Sequence, residues 1–375
     1  TDPQTIVNDP EIAIVIELMG GDEPARSLVL QAIENGKHVV TANKALIALH
    51  GNEIFAAASK QGVMVAFEAA VAGGVPIIKA IREGLSANRI QWLAGIINGT
   101  GNFILTEMRD KGRDFADVLR EAQALGYAEA DPTFDVEGID AAHKLTILAS
   151  IAFGMPLRFD AVHIEGISSI ATEDLGYAEE LGYRIKHLGI AKVTDGAVEL
   201  RVHPTLIPER RLIANVNGVM NAVLVNADAV GSTLYYGPGA GSEPTASAVV
   251  ADVVDVVRTL TADPENRVPH LAFQADALSD LEPVAADAFE SAYYLRMEAV
   301  DEPGVMADVS RVLGDLGISI EAILQKEPAN GSTVVPIILL TRKVREGLVN
   351  QGIQRIEALP TVHQPVVRMR VETLG

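Results

Sequence analysis

Ile12-Ala13-Ile14-Val15-Ile16-Glu17-Leu18-Met19-Gly20-Gly21 decides the fold. Ile12 to Leu18 is a short, continuous, β-branched run of the kind that a parallel sheet buries on both faces, and the glycine pair turns the chain out of it. A helical pattern follows from about Pro24 to Asn35 and is closed by Gly36. His38 to Thr41 reads as a second strand, Asn43-Lys44 as a loop, Asn52 to Gln61 as a helix closed by Gly62, and Val63 to Phe67 as a third strand. Strand, helix, strand, helix, strand implies right-handed parallel crossovers. Such sheets bind ligands beyond the carboxyl ends of their strands, which is where Gly20, Thr41 and Lys44 fall.

This region has no Gly-x-Gly-x-x-Gly turn and no acidic residue spaced to contact a ribose. Two readings follow: the domain does not bind a dinucleotide, or its first βαβ unit, about 30 residues by the usual size of such units, has been left off. A start in mid-pattern favours the second.

Farther along, Glu68 stands at a strand end before Val71, Gly73, Val75 and Pro76. Backbone carbonyls of such a loop, with one carboxylate, suit a hard oxygen-seeking cation; a tight strand-to-helix connection explains the same residues. Arg89 to Ile97 reads as a strand ending in Asn98-Gly99-Thr100-Gly101-Asn102, polar turn residues that suit contact with a small substrate or an ordinary turn and cap, and the next helix is placed near Phe103. After a helix from Phe115 to Leu125, the stretch Gly126 to Lys144 carries Glu129, Asp131, Asp135, Glu137, Asp140, His143 and Lys144. From Gly138 onward Ile139, Ala142, Leu145, Leu148 and Ala149 repeat at helical spacing, so Asp140 and Lys144 share one face. Spacing alone leaves two readings: a surface ion pair, or a buried lysine that donates a proton to a carbonyl oxygen while carboxylates hold a substrate ammonium.

The whole chain narrows the class. Its 375 residues exceed one simple core and fit two to three domains. Apolar residues make up 48% and aromatics 5%, with 32 glycines, which favours an Ala/Val/Ile-rich α/β protein. There is no cysteine, so thiolate chemistry and disulfides are excluded and a reducing cytoplasm suits the chain. A net charge of −20 without a basic patch argues against nucleic acid and anionic membranes. Val63 to Ile78, broken by Glu68 and Pro76, is too short and too polar to span a bilayer.

Beyond Gly154, strands are expected at Ala161 to Gly166, Ala197 to Pro204 and Asn221 to Asn226, with a helix from Thr172 to Lys186. His163, His187 and His203 are too scattered for a metal cluster. Gly237 to Gly241 is a glycine loop before a helix running from about Glu243 to Leu260, whose free N–H groups suit a cofactor's polar groups. Ala262 to Asp287, with Pro264, Pro269 and Pro283, reads as a linker. The rest is strand Tyr293 to Val300, helix Val305 to Leu316, strand Ile318 to Gln325, a hairpin at Asn330-Gly331, strand Val334 to Thr341, helix Val344 to Ala358 and strand Val362 to Val371. That βαββαβ order is ferredoxin-like.

Four motifs, in order, carry a family likeness. Val-Val-Thr-Ala-Asn-Lys at 39–44, Asn-Gly-Thr-Gly-Asn-Phe-Ile-Leu at 98–105, the stretch Gly126 to Lys144, and Gly-Pro-Gly-Ala-Gly-Ser-Glu-Pro-Thr-Ala-Ser-Ala at 237–248 together resemble homoserine dehydrogenase. The C-terminal unit resembles an ACT domain, an amino-acid-sensing module. The resemblance implies an incomplete Rossmann-like parallel sheet at 1–67 completed by helix 243–260, an α+β substrate-binding and dimerisation domain at 68–242, a linker at 262–290 and an ACT domain at 291–375.

It also implies NAD(P)-dependent interconversion of L-aspartate 4-semialdehyde and L-homoserine. Lys144 is then the acid/base residue, Glu129 and Asp140 bind substrate, Asp135 supports the site, and Lys44, Gly126, Gly241 and Gly20 line the cofactor. A monovalent cation, sodium by family likeness, maps to Glu68 and the carbonyls of Val71, Gly73 and Val75. Threonine is the expected effector, and a homodimer or homotetramer the expected assembly. The competing readings are a catalytically inactive, amino-acid-binding regulatory chain, motivated by the missing fingerprint, and an aldolase-like lyase with Lys144 as Schiff-base nucleophile.

Overall fold

The computed structural model describes residues 2–261, 263, 266–326 and 333–375. Strands Ile14–Glu17, His38–Thr41 and Val65–Ala66 pair in parallel in that order, joined by helices Ala25–Glu34 and Lys44–Gln61. The middle strand is buried along its whole length, as a β-branched run between two neighbours should be. The first strand pairs on one side only among the described residues, and beside it Ile16, Leu18 and Met19 are exposed.

The second helix starts earlier than its sequence suggests. Asn43 is not part of a loop but a helix cap: its side-chain oxygen accepts from the Leu46 amide at 3.1 Å, and the helix begins at Lys44. Leu46 and Ile47 are fully buried on it, so packing, not the turn-like Asn-Lys pair, sets the boundary. Lys44 is thereby fixed in the first turn of a helix at the end of the middle strand. Helix Ser242–Thr259 lies against the same small sheet, Val249 and Val256 clustering with Val40 and Ala66.

The remainder is organised by a 12-stranded sheet. Its central part is antiparallel: Ala197–Pro208, Tyr183–Thr194, Ile90–Ile96, Met220–Ala227 and Gly231–Pro238, in spatial order. Two of these strands correct the sequence reading. The helix expected to reach Lys186 ends at Glu180, because Gly182 takes a left-handed conformation (φ +82°), and Tyr183–Thr194 is a strand. It folds onto Ala197–Pro208 through Asp195-Gly196, both at positive φ, a tight hairpin turn. Likewise Gly237 lies within a strand, Gly231–Pro238, paired with Met220–Ala227, and the glycine loop shrinks to 239–241. The helix placed near Phe103 begins at Gly99, capped by Asn98.

The C-terminal unit has the expected βαββαβ order: Glu290–Val300, Val305–Asp315, Ile320–Gln325, Val334–Thr341, Glu346–Glu357 and Val362–Val371. Asn330-Gly331 lies outside the described residues, as do Ala262 and Pro264. The last strand also pairs in parallel with Ala197–Pro208, through Arg370 with Thr205 and Val371 with Leu206, so one sheet runs unbroken from this unit into the centre of the molecule. The segment before it is packed, with Leu271 buried, Glu282–Pro283 paired to Ala197 and Val198, and the Ser279 amide donating to the Gly154 carbonyl at 2.6 Å.

Among the described residues no helix is long and apolar enough to cross a membrane.

Candidate active site

Helix Ile139–Phe153 is buried on nearly every face, between the large sheet and the Lys44–Gln61 helix. It starts at Gly138 in a left-handed conformation (φ +83°), where a Cβ would lie 3.0 Å from the His187 ring and 3.1 Å from Val202. Glycine alone takes this turn without strain, and the turn delivers Asp140 and Lys144 into the interior.

Asp140 is 3% exposed and collects three donors. Lys144 Nζ lies 2.7 Å from Oδ2, Lys44 Nζ lies 3.1 Å from Oδ1, and Asn98 Nδ2 donates to Oδ2 at 2.8 Å. Burial works against the charged carboxylate, but the two ammonium groups and the amide outweigh it and hold the Asp140 pKa down to about 2. Lys144 also donates to the Ile97 carbonyl at 2.8 Å, and Asn98 donates to Asp135 Oδ1 at 2.7 Å. Asp135 is pushed above its usual value by burial, opposed by the Asn98 hydrogen bond. This is a network of two lysines and two carboxylates built on a buried Asp140–Lys144 pair, with Lys44 and Asp135 at its partly exposed edge, and not a surface ion pair.

His143, one residue before Lys144, has its ring 4.4 Å from that of Phe159 and 5.3 Å from that of Phe134. Burial holds its pKa down to about 4, so it is neutral at physiological pH.

Other expected residues stand apart from this network. Glu129 is exposed, and its carboxylate has no partner among the described residues. Gly126 (φ +74°) ends the Phe115–Ala124 helix with its amide on the Gln123 carbonyl, in open space. Gly20 donates to Glu17 Oε1 at 3.3 Å. Glu17 Oε2 takes the Thr41 hydroxyl at 2.7 Å, and Asn43 donates to the Gly21 carbonyl at 2.7 Å, which staples the glycine turn to the start of the Lys44 helix. Gly241 (φ +122°) precedes helix Ser242–Thr259 and, with Leu18, Thr245 and Val249, lines a cavity of about 420 Å³.

Glu68 is buried, and its carboxylate faces backbone amides: Oε1 accepts from Ile78 and Oε2 from Lys79, each at 2.9 Å. Burial pushes its pKa up to about 7. The Val75 carbonyl accepts from Ile77. Val71 and Gly73 are buried, and no group of the described residues donates to their carbonyl oxygens. Gly73 is held against the glycine loop, for a Cβ there would lie 2.7 Å from the Gly239 carbonyl oxygen.

Asn98 both caps a helix, as an asparagine before Gly-Thr-Gly at a strand end suggests, and bridges the two carboxylates, which its local sequence does not show; the Ile97 carbonyl that holds Lys144 leaves no trace in side-chain chemistry.

Comparisons with known proteins agree with this architecture. The family model described as homoserine dehydrogenase matches residues 76–254, its NAD-binding domain matches 1–68, and the ACT domain matches 293–361. The homoserine dehydrogenase of Pseudomonas aeruginosa is 70% identical over 98% of this chain and 85% of its own length, and that of Neisseria gonorrhoeae 57% identical over 100% and 86%. A crystal structure of a homoserine dehydrogenase from Thiobacillus denitrificans superposes with a TM-score of 0.96 at 67% identity, covering 100% of this chain and 85% of that one. A hyperthermophilic archaeal homoserine dehydrogenase mutant in complex with NADPH gives a TM-score of 0.59 at 29% identity, over 69% and 76%.

Proposed function

Because the chain belongs to the homoserine dehydrogenase family, we propose that the Lys144, Asp140, Asp135 and Lys44 network is its catalytic centre. The reaction is the NAD(P)-dependent interconversion of L-aspartate 4-semialdehyde and L-homoserine, a step of amino-acid biosynthesis. When bound, NAD(P)H supplies the hydride that reaches the aldehyde carbon. Lys144 donates a proton from Nζ to the carbonyl oxygen as it becomes an alkoxide, and is left neutral beside Asp140. In the reverse direction the neutral amine takes the hydroxyl proton. Asp140 holds Lys144 in place and, with Asp135, presents carboxylate to the substrate's ammonium group; Glu129, exposed and apart from this network, is assigned to the substrate by family likeness alone.

One observation carries this reading: a carboxylate 3% exposed, bridged by two lysines and an amide drawn from different parts of the chain. Lys144→Ala tests it. Oxidation of NADPH on addition of aspartate semialdehyde should slow about 10²- to 10⁴-fold with the circular dichroism spectrum unchanged. Near-normal turnover overturns the assignment.

The finer parts of the reading rest on the same family membership. Gly20, Gly241, Gly126 and Lys44 line the cofactor; the cavity between Leu18 and Gly241, at a strand end and a helix start, supports the first two. A monovalent cation fits the Glu68–Val75 loop through backbone oxygens: Val71 and Gly73 offer buried carbonyls without donors, while the Glu68 carboxylate is turned to the amides of Ile78 and Lys79. The ACT domain takes an amino-acid effector, threonine by family likeness, and the assembly is a homodimer or homotetramer. Residues 1–67 with helix 243–260, 68–242 and 291–375 are the working units. Nothing in the fold or the relatives favours the inactive reading.

A further inference from the structure

We propose that Asn98 is a positioning residue for substrate binding: its amide nitrogen clamps Asp135 and Asp140 so that both remain charged acceptors for the substrate's ammonium group. The inference rests on the reading of the Lys144 centre given above.

Three hydrogen bonds engage both N–H donors and the oxygen of the Asn98 side chain. Nδ2 donates one hydrogen to Asp135 Oδ1 at 2.7 Å and the other to Asp140 Oδ2 at 2.8 Å. Oδ1 accepts from the Gly101 amide at 2.7 Å, capping the Gly99–Lys111 helix. The residue is 5% exposed, and its bonds to Asp140 and Gly101 are buried while that to Asp135 lies at the edge of the site. Its neighbour Ile97 contributes the carbonyl that holds Lys144. The strand end at 97–98 therefore grips the proton donor with its backbone and both carboxylates with one side chain.

Elementary electrostatics says why an amide belongs there. Two carboxylates brought close together repel, and one of them tends to take up a proton. A primary amide has two N–H donors and no charge, so it bridges the pair without adding to the field. The two lysines act chiefly on Asp140, through direct contact. Asp135 makes no ion pair among the described residues, and the Asn98 hydrogen bond is the largest influence opposing burial there. Asp135 Oδ2 is left without a donor among the described residues, which makes it the free acceptor of the group. The other titratable groups facing the pair are Lys44 on its helix, Lys144 and His143 on the catalytic helix, and His187 on the Tyr183–Thr194 strand; both histidines are held neutral by burial.

The test separates the clamp from the cap. Asn98→Ser and Asn98→Thr both keep a helix-capping oxygen, and both lose the two-donor bridge without adding a charge beside the pair. For each, kcat and KM for L-homoserine are measured across the pH range with NADP⁺ or NAD⁺, alongside melting temperature. The expected result is a melting temperature within a few degrees of wild type and a KM at least tenfold higher. The acid limb of kcat/KM should move up by about one pH unit, because Asp135 protonates more readily without its donor. Lys144→Ala is run in parallel. If Lys144→Ala is inactive while KM and the acid limb stay unchanged in the Asn98 variants, the clamp is wrong and the centre stands. If Lys144→Ala stays active, the centre itself is wrong. A fall in melting temperature without the KM and pH changes reduces Asn98 to a helix cap and overturns the proposal.

Discussion

Arg370, on the last strand of the C-terminal unit, donates from Nη1 to Glu165 Oε2 at 2.8 Å, tying that strand to the segment just after His163–Ile164. Arg368 reaches Glu165 Oε1 at 2.8 Å, and both arginines also meet the buried Glu346. His163, Glu165 and Glu346 bring potential metal ligands within 4.8 Å of one another, but the two guanidinium groups already neutralise the carboxylates. Glu165 then leads toward the centre. Its carbonyl pairs with His187 Nε2 at 2.9 Å, and His187 packs on Gly138, at the first turn of the Ile139–Phe153 helix. The Ile167 amide donates to the Val136 carbonyl at 2.8 Å, on the same turn.

This cluster predicts acid sensitivity. Burial alone would raise the Glu165 pKa, but His163, Arg370 and Arg368 outweigh it and hold the carboxyl far below the usual carboxylate range. A depressed carboxylate pKa stabilises the fold above the unfolded value, about 4.3, and that contribution is lost as pH falls below it. Glu165→Gln should therefore lower the melting temperature at pH 7, at a cost of about 1–3 kcal/mol, and flatten the fall in stability between about pH 4.5 and 3. Equal wild-type and variant acid profiles by differential scanning calorimetry would refute this.

Glu68 predicts the opposite sign. Its pKa is raised by burial to about 7, and that of neighbouring Asp252, by burial, to about 6. A raised carboxylate favours the folded state while protonated, so this contribution is full below about pH 4.3 and is lost as pH rises through 7. A bound cation would offset the loss by stabilising the charged form. The melting temperature at pH 8 should rise with added sodium or potassium chloride relative to a bulky organic cation at equal ionic strength, and Glu68→Gln should reduce the pH dependence. A melting temperature indifferent to cation identity would count against the loop as a cation site.

Asp140→Asn should be severe. It leaves Lys44 and Lys144 facing each other in a buried site without the carboxylate between them. Loss of a partner from a buried pair costs about 3–5 kcal/mol, and turnover should fall at least about 10²-fold. Thermal melts and NADPH oxidation check both. Activity within threefold of wild type would show that the carboxylate is dispensable.

Gly138→Ala tests the turn that aims the helix. A left-handed residue with a Cβ costs about 1–2 kcal/mol, and here the added carbon meets the His187 ring at 3.0 Å. The variant should melt several degrees lower and lose kcat more than a Gly112→Ala control, another left-handed glycine (φ +59°), whose Cβ would enter open space. Equal kcat losses in the two variants would remove the special role given to this turn.

The sequence by itself determined the elements whose signals are local: the β-branched run closing at Gly20, the helical repeat that puts Asp140 and Lys144 on one face, and the βαββαβ order of the last 85 or so residues. It misjudged Asn43, which looks like a turn until the burial of Leu46 and Ile47 makes it a cap. It carried the Thr172 helix too far, because Glu179, Glu180 and Leu181 are good helix formers and the pairing that claims Tyr183–Thr194 comes from the strand beyond Asp195-Gly196. Only the tertiary structure decided the rest. Asn98 and Asp140 are 42 positions apart, and Arg370 and Glu165 205 apart. Whether a lysine and an aspartate four residues apart form a solvated pair or a desolvated centre depends on what covers them, and the cover comes from strands and helices that no local pattern ties to that helix.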